Sequence, residues 1–285
     1  MRRFMIPALI VGLLLSVSPL TDGSTGAQEA TPVSPGGEIT TEAVKTVQLP
    51  AGAVPTLPAI FDAWVWSLIP GEELRFGAEQ APPSIAADVV LSGEYSVRSE
   101  GRLQVRRAAG LEEVPPGTEA TVRAGDVVIY VENQAAQILR NSRDEVARAI
   151  SFGVFSSAPP AGVSVGTVSR EDWERSGLAG QDLTVSVERL TLPPGASVPA
   201  YVPDVRSPRI FIVVEGLAHW AIIAPDRVTP PSAIPYRPDQ AIWFRTLIEG
   251  EQVQLRNDED QPLVLLQVTV SADHMATPVA GTPTA

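Results

Sequence analysis

Residues 191–216, TLPPGASVPAYVPDVRSPRIFIVVEG, begin as a short strand that breaks at a Pro-Pro-Gly turn and end as an apolar strand that closes on Gly216. Residues 67–93, SLIPGEELRFGAEQAPPSIAADVVLSG, repeat the plan. Ser67-Leu68-Ile69-Pro70-Gly71 answers Thr191-Leu192-Pro193-Pro194-Gly195, and Val89-Val90-Leu91-Ser92-Gly93 answers Val213-Val214-Glu215-Gly216. Two more pairs follow in the same order. Ala124-Gly125-Asp126-Val127-Val128-Ile129-Tyr130 matches Arg237-Pro238-Asp239-Gln240-Ala241-Ile242-Trp243, and Ile138-Leu139-Arg140-Asn141 matches Gln254-Leu255-Arg256-Asn257. Four features recur in order at offsets of 113 to 124 residues, which marks the chain as a duplicated domain.

The signal between these landmarks is β. Alternating or apolar runs at Ala63–Ile69, Ala87–Leu91, Asp126–Val131, Leu183–Leu192, Ile210–Val214, His219–Ile223, Ala241–Leu247 and Leu263–Val270 are separated by Gly, Pro and Asp turn residues. One short helix is expected at Ser169–Gly177, where Ser169 caps, Asp172 reaches back and Gly177 stops it. The ends differ. Arg2 and Arg3, the apolar run Phe4–Val17 and the small-residue stretch closing on Thr25-Gly26-Ala27 have the three-part layout of a secretory signal. That run, with Pro7 inside it, is shorter than the roughly 20 residues a spanning helix needs. Residues 28–50 are expected as a disordered linker and residues 273–285 as a disordered tail, since neither shows period 2 or 3.6. The expected division is therefore signal 1–27, linker 28–50, first β domain 51–158, second β domain 159–272 and tail 273–285.

Composition excludes more than it assigns. The 285 residues hold no cysteine, which removes disulfides, thiolate nucleophiles and Cys-ligated metals. There are two histidines, and Lys45 is the only lysine, placed in a stretch unsuited to Schiff-base chemistry. A formal net charge of −12 argues against nucleic acid or an anionic membrane as partner. No G-x-S-x-G elbow, phosphate-binding glycine loop or dinucleotide fingerprint is present. The pairs Glu72-Glu73 and Glu112-Glu113 point apart on a strand or turn and read as solvated surface charge.

The ordered repeat resembles the cupin superfamily, small jelly rolls whose first motif reads G-x5-H-x-H-x(3,4)-E-x6-G and whose second reads G-x5-P-x-G-x2-H-x3-N. Gly195, Gly216, Gly250 and Asn257 hold motif positions in the second repeat, and Gly71, Gly93, Gly125 and Asn141 in the first. The resemblance covers nearly all of residues 57–271. It implies an all-β fold of two tandem cupin jelly-roll barrels joined by a short helix. The family's metal ligands are replaced. Tyr201, Pro203, Arg209 and Val253 stand at the ligand positions of the second repeat, and Gly77, Glu79, Ala86 and Gln137 at those of the first. A divalent site needs three or four converging His or carboxylate donors, so no metal and no cofactor are expected.

A guanidinium in place of the glutamate would instead favour an anion. Tyr201 and Arg209, with Glu79 and Gln137 in the first repeat, are the candidate ligand-binding residues, Arg209 through a bidentate fork. Opposed to this is a filled barrel in which Arg209 pairs with an internal carboxylate. Trp64, Trp66 and Trp243 read as packing rather than a stacking platform. His219, on a strand beside Trp220, reads as structural, and His274 lies in the tail. The implied function is an exported, non-catalytic, metal-free binding protein for a small molecule, with Arg209 favouring an anionic one. The alternatives are a metal-independent isomerase or epimerase using general acid–base chemistry, and a structural or assembly module. Nucleic acid is not an expected partner, and no membrane span is expected once the signal is removed. N-terminal sequencing of exported material should start near Gln28; an intact Met1 form confined to the soluble cytoplasm would contradict this reading.

Overall fold

A computed structural model of the chain describes residues 37–49, 60–76, 84–131, 135–155, 166–224, 227–228, 235–243 and 251–272. The proposed signal, the tail, Gly77, Glu79, Gly250 and His274 lie outside them. Alternating apolar residues put Thr40–Leu49 (β1), Ile60–Leu68 (β2), Glu73–Phe76 (β3), Ser84–Ser92 (β4), Glu94–Ser99 (β5), Leu103–Arg107 (β6), Gly110–Val114 (β7), Glu119–Arg123 (β8), Val127–Tyr130 (β9), Gln137–Arg140 (β10) and Ala147–Phe155 (β11) into strands. Gly166–Val168 (β12) and the helix Arg170–Ser176 (α1) lead into the second half. That half comprises Leu183–Leu192 (β13), Arg209–Glu215 (β14), His219–Ala224 (β15), Arg227–Val228 (β16), Ala241–Trp243 (β17), Gln252–Arg256 (β18) and Leu263–Ala272 (β19). The helix has the expected limits. Ser169 accepts from the Asp172 N–H, and Gly177 closes the helix in the left-handed region.

In the first half β2-β11-β4-β9 form one sheet and β3-β10-β5-β8 the other, the eight-strand order of a jelly roll, with hairpin β6-β7 added beside β9. The second half repeats it in shorter form. β13-β19-β14-β17 are the counterpart of the first sheet, and β18-β15-β16 of the second. Single bridges Tyr201↔Val253 and Ser197↔Arg256 stand where β3 pairs β10, and Ala218↔Tyr236 where β5 pairs β8. The architecture is the all-β double jelly roll expected from the repeat. Among the described residues its sheets are separate layers and are not hydrogen-bonded into closed barrels.

Two expected boundaries are corrected. Thr40–Leu49, assigned to the disordered linker, is a ten-residue strand paired with β13 from Thr40↔Thr191 to Leu49↔Leu183. Val47 and Leu49 are buried by that pairing, while Gln48 between them is exposed. The partner strand is some 140 residues away, so nothing in the local composition announced it. Conversely β12, placed in the second domain, pairs β2 of the first. Each jelly roll thus takes an edge strand from outside its own repeat.

Period 2 sorts the side chains into three cores. Phe61, Ile85, Ala87, Val89, Ile150, Phe152 and Val154 of the first half share one cluster with Val185, Val187, Ile210, Ile212, Val214, Leu266 and Val268 of the second. The alternate residues fill each jelly roll: Leu68, Val90, Tyr95, Leu103 and Val128 in the first, and Leu190, Leu192, Phe211, Val213 and Leu265 in the second. The two larger sheets therefore pack on each other, and the opposite face of each lines its own jelly roll. Gly93 and Gly216 close the equivalent tight turns at φ 71° and 81°; a Cβ there would meet the Val146 carbonyl oxygen at 2.6 Å or the Pro262 carbonyl oxygen at 2.8 Å.

The repeated asparagines are clips. Asn141 Nδ2 donates to the carbonyls of Leu68 (2.9 Å) and Glu145 (2.7 Å), and its Oδ1 accepts from the Arg143 N–H. Asn257 does the same with Leu192 (2.9 Å), Gln261 (2.8 Å) and the Glu259 N–H. Both side chains are buried, so removing one strands backbone groups without water. Asn141→Ala and Asn257→Ala should each lower unfolding free energy by about 2–3 kcal/mol in urea titrations; unchanged midpoints would contradict the clip.

Candidate functional site

Tyr201 and Arg209, eight residues apart on either side of a Pro/Asp turn segment, meet in the second jelly roll. Tyr201 is tied to Val253 by reciprocal backbone bonds of 3.0 and 2.8 Å, and its ring packs 6.0 Å from that of Phe211. Arg209 opens β14, and alternation with Ile210 and Ile212 of the inter-unit core puts it on the same face as Phe211 and Val213. Its guanidinium carbon lies 5.4 Å above the Tyr201 ring centroid, a cation–π contact. Residues Tyr201–Val205, Ser207, Pro208 and Arg209 enclose a cleft of about 140 Å³. Three of the four positions counted from the motif, Tyr201, Arg209 and Val253, are linked by these contacts.

The electrostatics of the cleft are one-sided. Among the described residues no carboxylate pairs with Arg209, so the internal partner weighed against an open site is not found there. Asp204, also in the cleft lining, is bound by Arg206 at 3.1 Å, which holds its carboxyl below the usual range. Burial pushes the Tyr201 hydroxyl well above an ordinary tyrosine, with the Arg209 charge opposing that shift. Tyr201 therefore stays protonated and offers a neutral O–H donor beside a permanent cation.

Residues absent from the sequence expectation extend this face. Ser186 and Glu188 on β13, and Gln267 and Thr269 on β19, point inward by the same alternation and are half-exposed. Gln267 Nε2 donates to Glu188 Oε2 at 2.9 Å. Their signal was polar residues at every second place in S-V-E and Q-V-T. Without the fold that pattern reads as an outer solvent face.

The first jelly roll is built otherwise. Ala86 and Gln137 are buried, and with Glu79 outside the described residues the expected Glu79–Gln137 pair is placed only at Gln137, in β10 between Phe76 and Ser99. Its interior holds Asp88, which accepts from Tyr130 OH at 2.7 Å, from Tyr95 OH at 3.3 Å and from Ser151 Oγ, which in turn accepts from Trp66 Nε1 at 2.6 Å. Burial raises the Asp88 carboxyl despite these donors. Trp66 packs edge-on to Tyr95 at 5.1 Å and Trp64 lies 5.9 Å from Phe155, so both tryptophans are packing residues. Trp243 contributes its backbone to β17.

Other expectations resolve simply. His219 Nε2 faces Glu259 Oε1 at 3.2 Å. The acidic pairs are not merely solvated. Glu73 is shared by Arg75 and Arg140, Glu112 takes Arg107 at 2.9 Å, Glu113 takes Gln104 at 2.6 Å, and Glu72 accepts from the Ile69 N–H at 2.9 Å. Strand pairing brought Glu73 the Arg140 guanidinium and Glu113 the Gln104 amide, while Glu72 is held by its own turn.

A resident divalent metal does not fit the second unit. The positions that would ligate it offer a phenol, a proline, a guanidinium and a valine, and a guanidinium repels a cation. Among the described residues no cluster of three His, Asp or Glu side chains is arranged to hold one.

The fold and this geometry define a double jelly roll, one unit with a buried polar network around Asp88 and the other with half-exposed polar side chains on its inward face. No protein-family model and no curated protein matches the chain. Among solved structures it is similar to AerE from Microcystis aeruginosa, at 15% identity over 75% of this chain and 88% of that one, TM-score 0.43. It is also similar to vicilin from Solanum lycopersicum (tomato), at 10% over 79% and 85%, TM-score 0.44, and to a cupin 2 conserved barrel domain protein from Leptotrichia buccalis, at 11% over 84% and 92%, TM-score 0.36.

Asp62 on β2 generates a separate test. Its carboxylate is fully buried, neither oxygen has a partner at full hydrogen-bond geometry, and burial pushes its pKa from 3.8 up to about 6, with the Thr167 side chain on the neighbouring strand opposing that shift. The folded state therefore holds this proton more tightly than the unfolded chain, so the Asp62 contribution to stability falls as pH rises from about 4 to about 6 and is level above that. A shift of about two units corresponds to about 3 kcal/mol. Asp62→Asn should match wild type in urea unfolding at pH 4 and exceed it by up to about 3 kcal/mol at pH 7; an equal difference at both pH values would contradict this.

Proposed function

We propose that the protein is an exported, non-catalytic binding protein for a small carboxylate-bearing molecule, held at the second jelly roll by Arg209 and Tyr201. The first jelly roll serves as scaffold. The observation that carries this reading is Arg209 itself: a guanidinium on the cleft wall, braced on an aromatic ring and lacking a carboxylate partner among the described residues. Arg209 is exposed, and a planar fork with its charge unspent is open to a bidentate acceptor that reaches it from solvent. The Tyr201 O–H adds a neutral donor. Export is supported by the order of residues 1–27.

Acid–base chemistry has little to work with here. Tyr201 is held far from titration at neutral pH, and His219 is engaged with Glu259. The binding reading is tested by thermal shift and calorimetry with acetate, benzoate, malonate and phosphate. Wild type should be stabilised by at least one carboxylate. Arg209→Ala should weaken that binding by roughly 10- to 100-fold, the equivalent of one charge-assisted hydrogen-bonded contact, while keeping the wild-type melting temperature without ligand. Equal affinity in Arg209→Ala, or no response of wild type to any of the four, would defeat the proposal.

A further inference from the structure

The inward face of the larger sheet in the second jelly roll carries half-exposed polar side chains in register next to Arg209, and their spacing says more about the ligand than Arg209 does alone. Ser186 pairs Thr269 across β13 and β19, and Thr269 pairs Arg209 across β19 and β14. These three residues form one row across three neighbouring strands. In the adjacent row Glu188 pairs Gln267, and Gln267 pairs Phe211. All alternate with Val185, Val187, Val268, Val270, Ile210 and Ile212 of the inter-unit core, so both rows face inward. Ser186, Glu188, Gln267 and Thr269 are each half-exposed, in contrast to buried Asp62, Ala86, Asp88, Ser151 and Gly153 on the corresponding strands of the first unit.

The bonding already made in these rows fixes what is left. Gln267 Nε2 donates to Glu188 Oε2 at 2.9 Å and reaches Thr269 Oγ1 at 3.4 Å. The Thr269 oxygen is thus an acceptor towards Gln267, and its O–H is left to donate elsewhere. Among the described residues Ser186 Oγ makes no hydrogen bond. With strands about 4.8 Å apart, hydroxyls stand about 5 and 10 Å along the row from the Arg209 column. A carboxylate on Arg209 would have its chain laid along Thr269 and Ser186, with the Glu188 carboxylate to accept from ligand hydroxyls. A simple aliphatic or aromatic acid would leave these groups unpaired on desolvation, at a cost to its affinity. A second carboxylate on the ligand would meet Glu188 and be repelled.

We infer that the ligand is a polyhydroxylated monocarboxylate of the aldonic-acid type, of about four to six carbons, read by the Ser186–Thr269–Arg209 row. This deepens the carboxylate-binding reading and rests on it. The experiment is calorimetric titration of the full-length mature chain with gluconate, glucarate, hexanoate and glucose, on wild type, Arg209→Ala and the double variant Ser186→Ala/Thr269→Val. Gluconate should bind wild type at least tenfold more tightly than hexanoate, glucarate or glucose. The double variant should lose that margin while holding hexanoate unchanged, and Arg209→Ala should lose both acids. If the double variant does not fold, the four-ligand order on wild type decides alone. Hexanoate binding as tightly as gluconate, with both still dependent on Arg209, would overturn this inference and leave the carboxylate reading standing. Glucose matching gluconate, or none of the four binding, would overturn this inference; the carboxylate reading would fall with it only if acetate, benzoate and malonate also leave wild type unchanged.

Discussion

Val187, Ile212 and Val268 of one jelly roll share a single apolar core with Ile85, Ala87, Ile150 and Phe152 of the other, and the rest of the molecule is arranged around that shared face. Each buried Val, Ile or Phe contributes about 1.5–3 kcal/mol. The cross-unit ion pair Arg148–Asp239, at 2.9 Å but partly exposed, is worth about 1 kcal/mol at most. Apolar burial therefore decides the association, and the ion pair and the exchanged edge strands β1 and β12 serve to fix its register. A sheet buried on both faces loses its alternation, which is why β14 reads as the unbroken run I-F-I-V-V.

Sealing one face of each larger sheet leaves its inward face, and there the two copies differ. In the first, Trp64, Trp66, Tyr95, Tyr130 and Phe155 occupy the interior, and the Asp88 carboxyl is consumed by three hydroxyls. In the second, the corresponding strands carry Ser186, Glu188, Arg209, Gln267 and Thr269, none of them buried. One packed copy stabilises the shared core, so the other can keep polar groups partly exposed, an arrangement that would weaken a lone small jelly roll.

Much of the fold was legible because the turns are chemically constrained. The glycines before β5 and β15 must take positive φ, and the buried asparagines must meet two carbonyls each, so both survive as landmarks in the two repeats. Counting from them put Tyr201 and Arg209 at one place, and they are found in contact. What escaped was non-local. β1 owes its order to β13, and β12 owes its order to β2, and neither has a strong pattern of its own. Strands such as β3, β7 and β8 are short and largely polar on their outer faces, so they read as loops. The Ser186–Thr269 row was invisible for another reason: period 2 tells which residues share a face, but only the packing of the two larger sheets tells which face is inside.

If the second jelly roll, through Arg209, is the anion site of the molecule, a small anion should gather there and not in the first. Crystals of the mature protein soaked in sodium bromide and measured at the bromine absorption edge test it most directly. An anomalous peak is expected in the cleft within contact distance of the Arg209 guanidinium, above Tyr201, and none among Asp62, Asp88 and the aromatic residues of the first unit. Bromide inside the first unit, or a guanidinium turned away and paired with a protein carboxylate, would contradict it.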